Sequence, residues 1–122
     1  MNYEWRFSDD KPIYTQIVEQ MQKLIVSGEL KPGDKLPSVR DLASEAQVNP
    51  NTMMRALSEL EKKRLVISHR VNGKTITEDT ELINRMKDEL ALEVINTFME
   101  SMKQFGYTKD QITELLKTYK EV

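Results

Sequence analysis

The sequence predicts a mainly α-helical protein that carries one small β-hairpin. Apolar residues recur at helical spacing in five segments of the 122-residue chain, which indicates five amphipathic helices. The period changes in residues 65–77, where β-branched residues on both sides of an Asn-Gly pair are typical of two short antiparallel strands. We therefore expect three helices, a hairpin and two further helices, in that order.

Length and composition limit the classes of protein to which this chain can belong. A chain of 122 residues forms one domain, or a small domain with an appendage. Its 39% hydrophobic and 31% charged residues are typical of a soluble globular protein. The chain has no cysteine, no apolar run long enough for a membrane span and no signal-peptide core, so we expect a cytoplasmic protein without disulfides or membrane attachment.

A connector separates the first two predicted helices. The first helix is expected over residues 13–27, entered at Pro12 and ended by Gly28. The connector, GELKPGDKLP, holds two prolines and two glycines and cannot continue as a regular helix. Ser38 is then the expected N-cap of a short second helix, SVRDLASEA.

The stretch VNPNTMMRALSEL, residues 48–60, begins the third helix. Asn49 is a preferred N-cap residue, and Pro50 stands at the first helical position, where its missing N–H costs nothing. A helical wheel gives an apolar face that consists of Met53, Ala56, Leu57 and Leu60. The opposite face is polar and cationic and consists of Asn51, Arg55, Ser58 and Lys62.

A short helix, a tight turn and a helix with a polar N-terminal end form a helix-turn-helix, whose second helix reads base edges in the DNA major groove. The strands LVISHR and KTIT follow, and Arg70 and Lys74 flank their Asn72-Gly73 tip, as in a wing that lies on the DNA backbone or in the minor groove. Residues 1–77 are therefore predicted to form a winged helix-turn-helix domain. Its recognition helix is at about residues 49–63 and its wing at residues 66–77.

The distribution of charge also favours double-stranded DNA as the partner. Residues 31–76 contain nine Lys/Arg and five Asp/Glu, a net charge of +4, whereas the whole chain carries −2 and the remainder therefore −6. A basic segment between acidic ends is the pattern of a nucleic-acid-binding face. Arg55 can pair with guanine or with a phosphate, and the sequence leaves both possibilities open.

Two motifs carry a resemblance to a known family. They read G-x-L-x-P-G-x-x-L-P-S-x-R-x-L-A at residues 28–43 and V-N-P-N-T-x-x-R-A-L-x-E-L at residues 48–60. With them, residues 12 to about 76 resemble the winged helix-turn-helix domain of GntR-type bacterial transcription regulators. The N-P-N-T form and the short tail are similar to the YtrA subfamily, whose members dimerise through two further helices. The resemblance implies a regulator, in the usual case a repressor of a nearby transport or stress operon.

The resemblance also implies DNA-contacting positions. The matching residues are Arg40, Asn49, Asn51, Thr52, Arg55 and Gly73. The predicted DNA-binding set is completed by Ser38, Lys62, Arg70 and Lys74. Many family members carry arginine where this chain has Pro50 and Met54, and a G-x-G-T-F-V wing where it has VNGKTIT, so we expect a different sequence preference.

Residues 78–122 are predicted to form a helical dimerisation tail. A long helix ended by Gly106 carries the apolar seam Leu82, Met86, Leu90, Val94, Phe98, Met102 and Phe105. A last helix, opened by a capping box at Thr108 and Gln111, carries Ile112, Leu115, Leu116 and Tyr119. Such apolar faces need a partner surface, which favours a symmetric homodimer on an inverted-repeat operator with half-sites about 34 Å apart or a multiple of that. The alternative is a helical hairpin that folds back on its own domain.

Other functions find less support in the sequence. His69 is the single histidine, no spacing suggests a catalytic triad or a metal pair, and no glycine-rich phosphate loop is present, so we expect no enzyme, metal or cofactor. A small-molecule effector of unknown identity stays open, because the tail shows no effector-binding pattern. The alternative function is a winged-helix module for protein–protein contact, whose basic residues would scatter over the surface.

Overall fold

The structure, a computed structural model, describes residues 1–121 and confirms the predicted mainly α-helical fold with one hairpin. The elements in chain order are α1 (Ile13–Ser27), α2 (Val39–Ala46), α3 (Pro50–Lys62), β1 (Val66–His69), β2 (Gly73–Ile76), α4 (Thr80–Gln104) and α5 (Lys109–Thr118). The chain divides into two compact units, residues 1–85 and a second unit that begins at Met86.

Three helices form the core of the first unit, because each has one apolar face. Helix α3 packs against α1, α2 and β1. Its predicted apolar face is confirmed, since Met53, Ala56, Leu57 and Leu60 are all buried. Ile17 and Met21 of α1 and Leu42 of α2 are fully buried as well. These contacts hold α3 with its polar face toward solvent.

Local capping sets the ends of the two helices of the helix-turn-helix. Ser38 Oγ accepts a hydrogen bond from the Asp41 backbone N–H at 3.1 Å, and Asn49 Oδ1 accepts one from the Asn51 N–H at 2.8 Å. Gln47 ends α2 in the left-handed conformation at a φ of 56°. The chain thus reverses within three residues, which confirms the tight turn expected between α2 and α3.

The N-terminal segment is held along α1 by two glutamines. Gln20 accepts hydrogen bonds from the Tyr3 hydroxyl at 2.8 Å and from the Arg6 backbone N–H at 3.2 Å. Gln16, which is buried, accepts from the Ser8 N–H at 2.8 Å and donates to the Ser8 carbonyl at 2.9 Å. The N-terminal segment is therefore hydrogen-bonded to α1 and forms part of the first unit.

The wing is a two-stranded antiparallel hairpin with a register from Val66↔Ile76 to His69↔Gly73. Its loop is residues 70–72, so the tip is a three-residue loop and Gly73, at a φ of 76°, is the first residue of β2. This corrects the expected Asn72-Gly73 tip. The connector before α2 is hydrogen-bonded to β2, a contact that the sequence did not indicate. The Leu36 N–H donates to the Lys74 carbonyl and the Ile76 N–H to the Asp34 carbonyl, both at 2.9 Å.

The second unit contains most of α4 and all of α5. Thr108 and Gln111 form the predicted capping box at the start of α5. Helix α5 ends at Thr118, so Tyr119 lies one residue beyond the helix in extended backbone and not on its last turn as expected. Among the described residues, no helix combines the length and the apolar character that a membrane crossing requires.

The predicted apolar seam of the tail has three levels of exposure in the chain. Met86 and Ile112 are buried, and Leu82, Leu90 and Met102 are half-buried. The exposed members are Val94, Phe98, Phe105, Leu115, Leu116 and Tyr119. Two further apolar residues of α4, Leu92 and Ile95, are exposed although the sequence analysis left them out of the seam. Much of the second unit's apolar surface is therefore uncovered in a single chain.

Candidate nucleic-acid interface

The N-terminal end of α3 presents short polar side chains to solvent. Asn49 and Asn51 are exposed, and Thr52 is half-buried. Asn49 uses its carbonyl oxygen for the cap, so the two N–H groups of its amide are not consumed by that bond. Because asparagine and threonine side chains are short, they reach base edges only when the helix backbone itself enters the major groove.

Arg55 lies on the exposed face of α3, where its guanidinium stacks on an aromatic ring of α1. Its Cζ atom is 3.8 Å from the centroid of the Tyr14 ring, within the range of a cation–π contact. Arg55 is nevertheless exposed, and Tyr14 is half-buried. The sequence analysis missed Tyr14 as part of the site, because a contact between positions 41 residues apart leaves no periodic signal.

Met54 of α3 is a second residue that the sequence analysis left out of the site. Its side chain is 53% exposed, unlike the buried Met53 beside it. The thymine C5-methyl is an apolar group that a base edge offers in the major groove. The exposed Met54 side chain is chemically matched to such a group, and the signal in the sequence is its position outside the apolar face of α3.

A cleft of about 970 Å³ lies between the wing and the start of α2. Three of the predicted DNA-binding residues line this cleft, namely Ser38, Gly73 and Lys74. Lys35 and Asn72 line it as well. The structure thus brings the start of α2 and the loop end of the wing to one opening, which Lys35 and Lys74 also line.

Lys74 does not extend freely from the wing but forms part of a cluster with α3. Its Nζ atom lies 2.9 Å from Glu61 Oε1 and 2.7 Å from Ser68 Oγ, and Ser68 also donates to Glu61. Burial acts to raise the pKa of the Glu61 carboxyl, but the hydrogen bonds from Ser68 and Lys74 and the Lys74 charge outweigh it and lower the pKa. The cluster links the wing to the C-terminal half of α3.

The acidic residues of the basic segment are mostly paired, whereas its arginines are not. Glu45 pairs with the N-terminal amine at 3.0 Å, Glu59 with Lys62 at 3.3 Å, and Glu61 with Lys74. Within residues 1–121, no ion pair involves the arginines of this segment, which are all exposed: Arg40, Arg55, Arg64 and Arg70. Positive charge is therefore available on α2, on α3, at the end of α3 and at the wing loop.

The single histidine has a structural partner on the wing. His69 Nε2 lies 2.7 Å from Thr75 Oγ1 on the neighbouring strand. Within the part of the chain that the structure describes, no group of three or more His, Cys, Asp or Glu side chains is arranged to hold a metal ion.

Three helices with a wing and exposed cations on α2, α3 and the wing loop define the winged helix-turn-helix class. The family described as bacterial regulatory proteins, gntR family, matches residues 13–76, over half of the chain. The chain belongs to this family, whose members are DNA-binding transcriptional regulators. The family resemblance that the motifs indicated is thus confirmed.

Individual relatives extend the similarity beyond that segment. The chain is 44% identical over 116 residues to the HTH-type transcriptional regulator YhcF of Bacillus subtilis, covering 95% of this chain and 96% of that protein. It is 48% identical over 68 residues to the HTH-type transcriptional repressor YtrA of Bacillus subtilis, covering 56% of this chain and 52% of that protein. A solved GntR family transcriptional regulator from Listeria monocytogenes is 38% identical with a TM-score of 0.86, covering 93% of this chain and 100% of that one.

Proposed function

We propose that the protein is a sequence-specific repressor that binds an inverted-repeat operator as a homodimer. Residues 1–77 form the DNA-binding domain, with α3 in the major groove and the wing on the backbone or in the minor groove. Residues 78–122 form the dimerisation tail. The named repressor function of the similar YtrA protein supports the direction of regulation. A protein with this function acts in the cytoplasm, where bacterial DNA lies.

One observation carries the DNA-binding part of this proposal. The four arginines of the basic segment are exposed and form no ion pair within the described residues, whereas three of its five acids are paired. Exposed cations of this kind release counterions from DNA when they contact phosphates. Arg40, Arg55 and Arg70 belong to α2, α3 and the wing loop, the three elements that a winged helix-turn-helix applies to a duplex.

The uncovered apolar surface of the tail supports the homodimer. Val94 is 69% exposed and Phe105 is 74% exposed, and exposed apolar patches on soluble chains mark interaction surfaces. A two-fold axis lets identical surfaces cover each other. It also relates two recognition helices, and this symmetry requires an operator whose half-sites are inverted.

Selection from a random-sequence duplex library tests this proposal. The wild-type chain is expected to enrich one motif that is an inverted repeat with half-sites an integral number of helical turns apart. Enrichment of a single, unrepeated half-site would contradict dimeric binding. Absence of any enrichment would favour a winged-helix module that contacts other proteins.

A further inference from the structure

We infer that Tyr14 is a positioning residue for DNA recognition, because its ring holds the Arg55 guanidinium in the orientation that contacts DNA. The inference rests on the proposed function and adds to it a residue of α1, a helix that lies outside the helix-turn-helix. It begins from one geometry: the Arg55 Cζ atom stands 3.8 Å over the Tyr14 ring centroid.

The stacking restricts the guanidinium without using its hydrogen-bonding capacity. The five N–H donors of arginine lie at the edges of the guanidinium plane, whereas the contact with the ring is made at the central Cζ atom. No acceptor of the described residues occupies these donors, because Arg55 forms neither a side-chain hydrogen bond nor an ion pair there. The Arg55 guanidinium is therefore held in place, and its N–H groups are still available to a guanine edge or a phosphate.

The ring is half-buried and belongs to a helix of the core of the first unit. Tyr14 is in the first turn of α1, directly before a stretch in which Ile17 and Met21 are fully buried, and α1 packs against α3. An arginine on a solvent-exposed helix face ordinarily samples many rotamers and loses this freedom on binding. Contact with the Tyr14 ring restricts the rotamers of Arg55 before DNA binds, so less rotamer freedom is lost on binding. Tyr14 is therefore expected to raise the affinity for DNA through its effect on Arg55.

The test uses a Tyr14→Leu and a Tyr14→Phe variant of the full chain with a fluorescent duplex that the wild-type chain has selected. Tyr14→Leu is expected to weaken binding about two- to fivefold, the equivalent of an exposed cation–π contact. Tyr14→Phe keeps the ring face and is expected to bind as the wild type does. In an Arg55→Ala background, Tyr14→Leu is expected to have no further effect, because the group that it positions is gone.

Two further readouts separate positioning from a general effect on the fold. Urea unfolding checks that each variant is folded at the temperature of the titration. In NMR spectra of the DNA-free protein, the Arg55 side-chain protons are expected to show an upfield ring-current shift in the wild type and in Tyr14→Phe, and to lose it in Tyr14→Leu.

The possible outcomes distinguish this inference from the proposed function. If Tyr14→Phe loses as much affinity as Tyr14→Leu, the hydroxyl is the active group and positioning by the ring is overturned. Equal losses from Tyr14→Leu with and without Arg55 would overturn it as well, as would unchanged binding by Tyr14→Leu. If the wild-type chain itself binds no DNA, the proposed function fails and the inference fails with it.

Discussion

At the scale of single residues, Met54 and Arg55 are neighbours on α3 that offer DNA different chemistry. Arg55 supplies a charged guanidinium that matches guanine or phosphate, and Met54 supplies an exposed apolar side chain that matches a thymine methyl. For Arg55, a contact with a phosphate and a contact with a base have different consequences. A phosphate contact anchors the protein on any duplex, whereas a base contact changes which duplex is bound.

Replacement of Arg55 by alanine is expected to weaken the free energy of binding to the selected duplex by about 1–3 kcal/mol if the guanidinium contacts a base. The same variant would then lose little affinity for a scrambled duplex. The measurement is a fluorescence titration with both duplexes. Arg6→Ala, which removes an arginine whose side chain is 82% exposed on the N-terminal segment, controls for the loss of one charge. Wild-type affinity in Arg55→Ala would remove this residue from the interface.

The Met54 contact is tested by changing the DNA. Replacing each thymine of the selected duplex by uracil removes only the methyl group. Because burial of one such group is worth about 0.8 kcal/mol, uracil at the contacted position is expected to weaken wild-type binding about fourfold. In Met54→Ala the same uracil is expected to have a much smaller effect. A uracil series that leaves wild-type binding unchanged at every position would exclude the contact.

At the scale of elements, the cluster of Glu61, Lys74 and Ser68 links α3 to the wing. Lys74 was predicted as a wing contact to the DNA backbone or the minor groove, but its ammonium is engaged by Glu61 at 2.9 Å and is partly shielded. We therefore expect Lys74 to act mainly through the position of the wing, and Arg70 in the wing loop to supply the phosphate contact.

The Glu61 interaction gives a pH-dependent part of the stability. Because the pKa of Glu61 is lowered in the folded state, its contribution is fully present above the ordinary carboxyl value of 4.5 and is lost as the pH falls through the folded pKa. The free energy of unfolding of Glu61→Gln is therefore expected to lie below that of the wild type at pH 7, with the difference decreasing under acidic conditions. Urea unfolding at a series of pH values measures it. A difference that stays constant down to pH 3 would contradict the ionic role.

Elements defined by local signals were predictable from the sequence, and contacts between distant segments were not. The caps at Ser38, Asn49 and Thr108 depend on residues two or three positions away, so the residue types themselves indicate them. The Lys74–Glu61 pair joins residues 13 apart, and the Tyr14–Arg55 contact joins two helices. Such contacts follow from the packing of elements, which helical periodicity does not specify.

At the scale of the whole molecule, the proposal depends on pairing two copies of the chain. A single recognition helix reads few bases, and in the proposed homodimer the second copy is recruited through the exposed apolar residues of α4 and α5. Dimerisation and operator specificity are therefore linked, and a change confined to the tail is expected to alter DNA binding without touching a DNA-contacting residue.

Val94→Asp is expected to weaken the dimer at least tenfold, because it places an unpaired charge in an apolar interface. Analytical ultracentrifugation over a range of protein concentrations measures the effect. The matched control is Asn96→Asp, which adds the same charge two residues along α4, on the opposite side of the helix. A wild-type chain that stays monomeric, or equal weakening by both variants, would contradict an interface on the predicted seam.

The most direct measurement of the central claim is an equilibrium titration of the wild-type chain with the selected inverted repeat and with a scrambled duplex, at several salt concentrations. We predict binding to the inverted repeat at least about a thousandfold tighter than to the scrambled duplex. We also predict that the logarithm of the affinity falls linearly with the logarithm of the salt concentration. Equal affinity for the two duplexes, or affinity that does not change with salt, would contradict sequence-specific DNA binding by this protein.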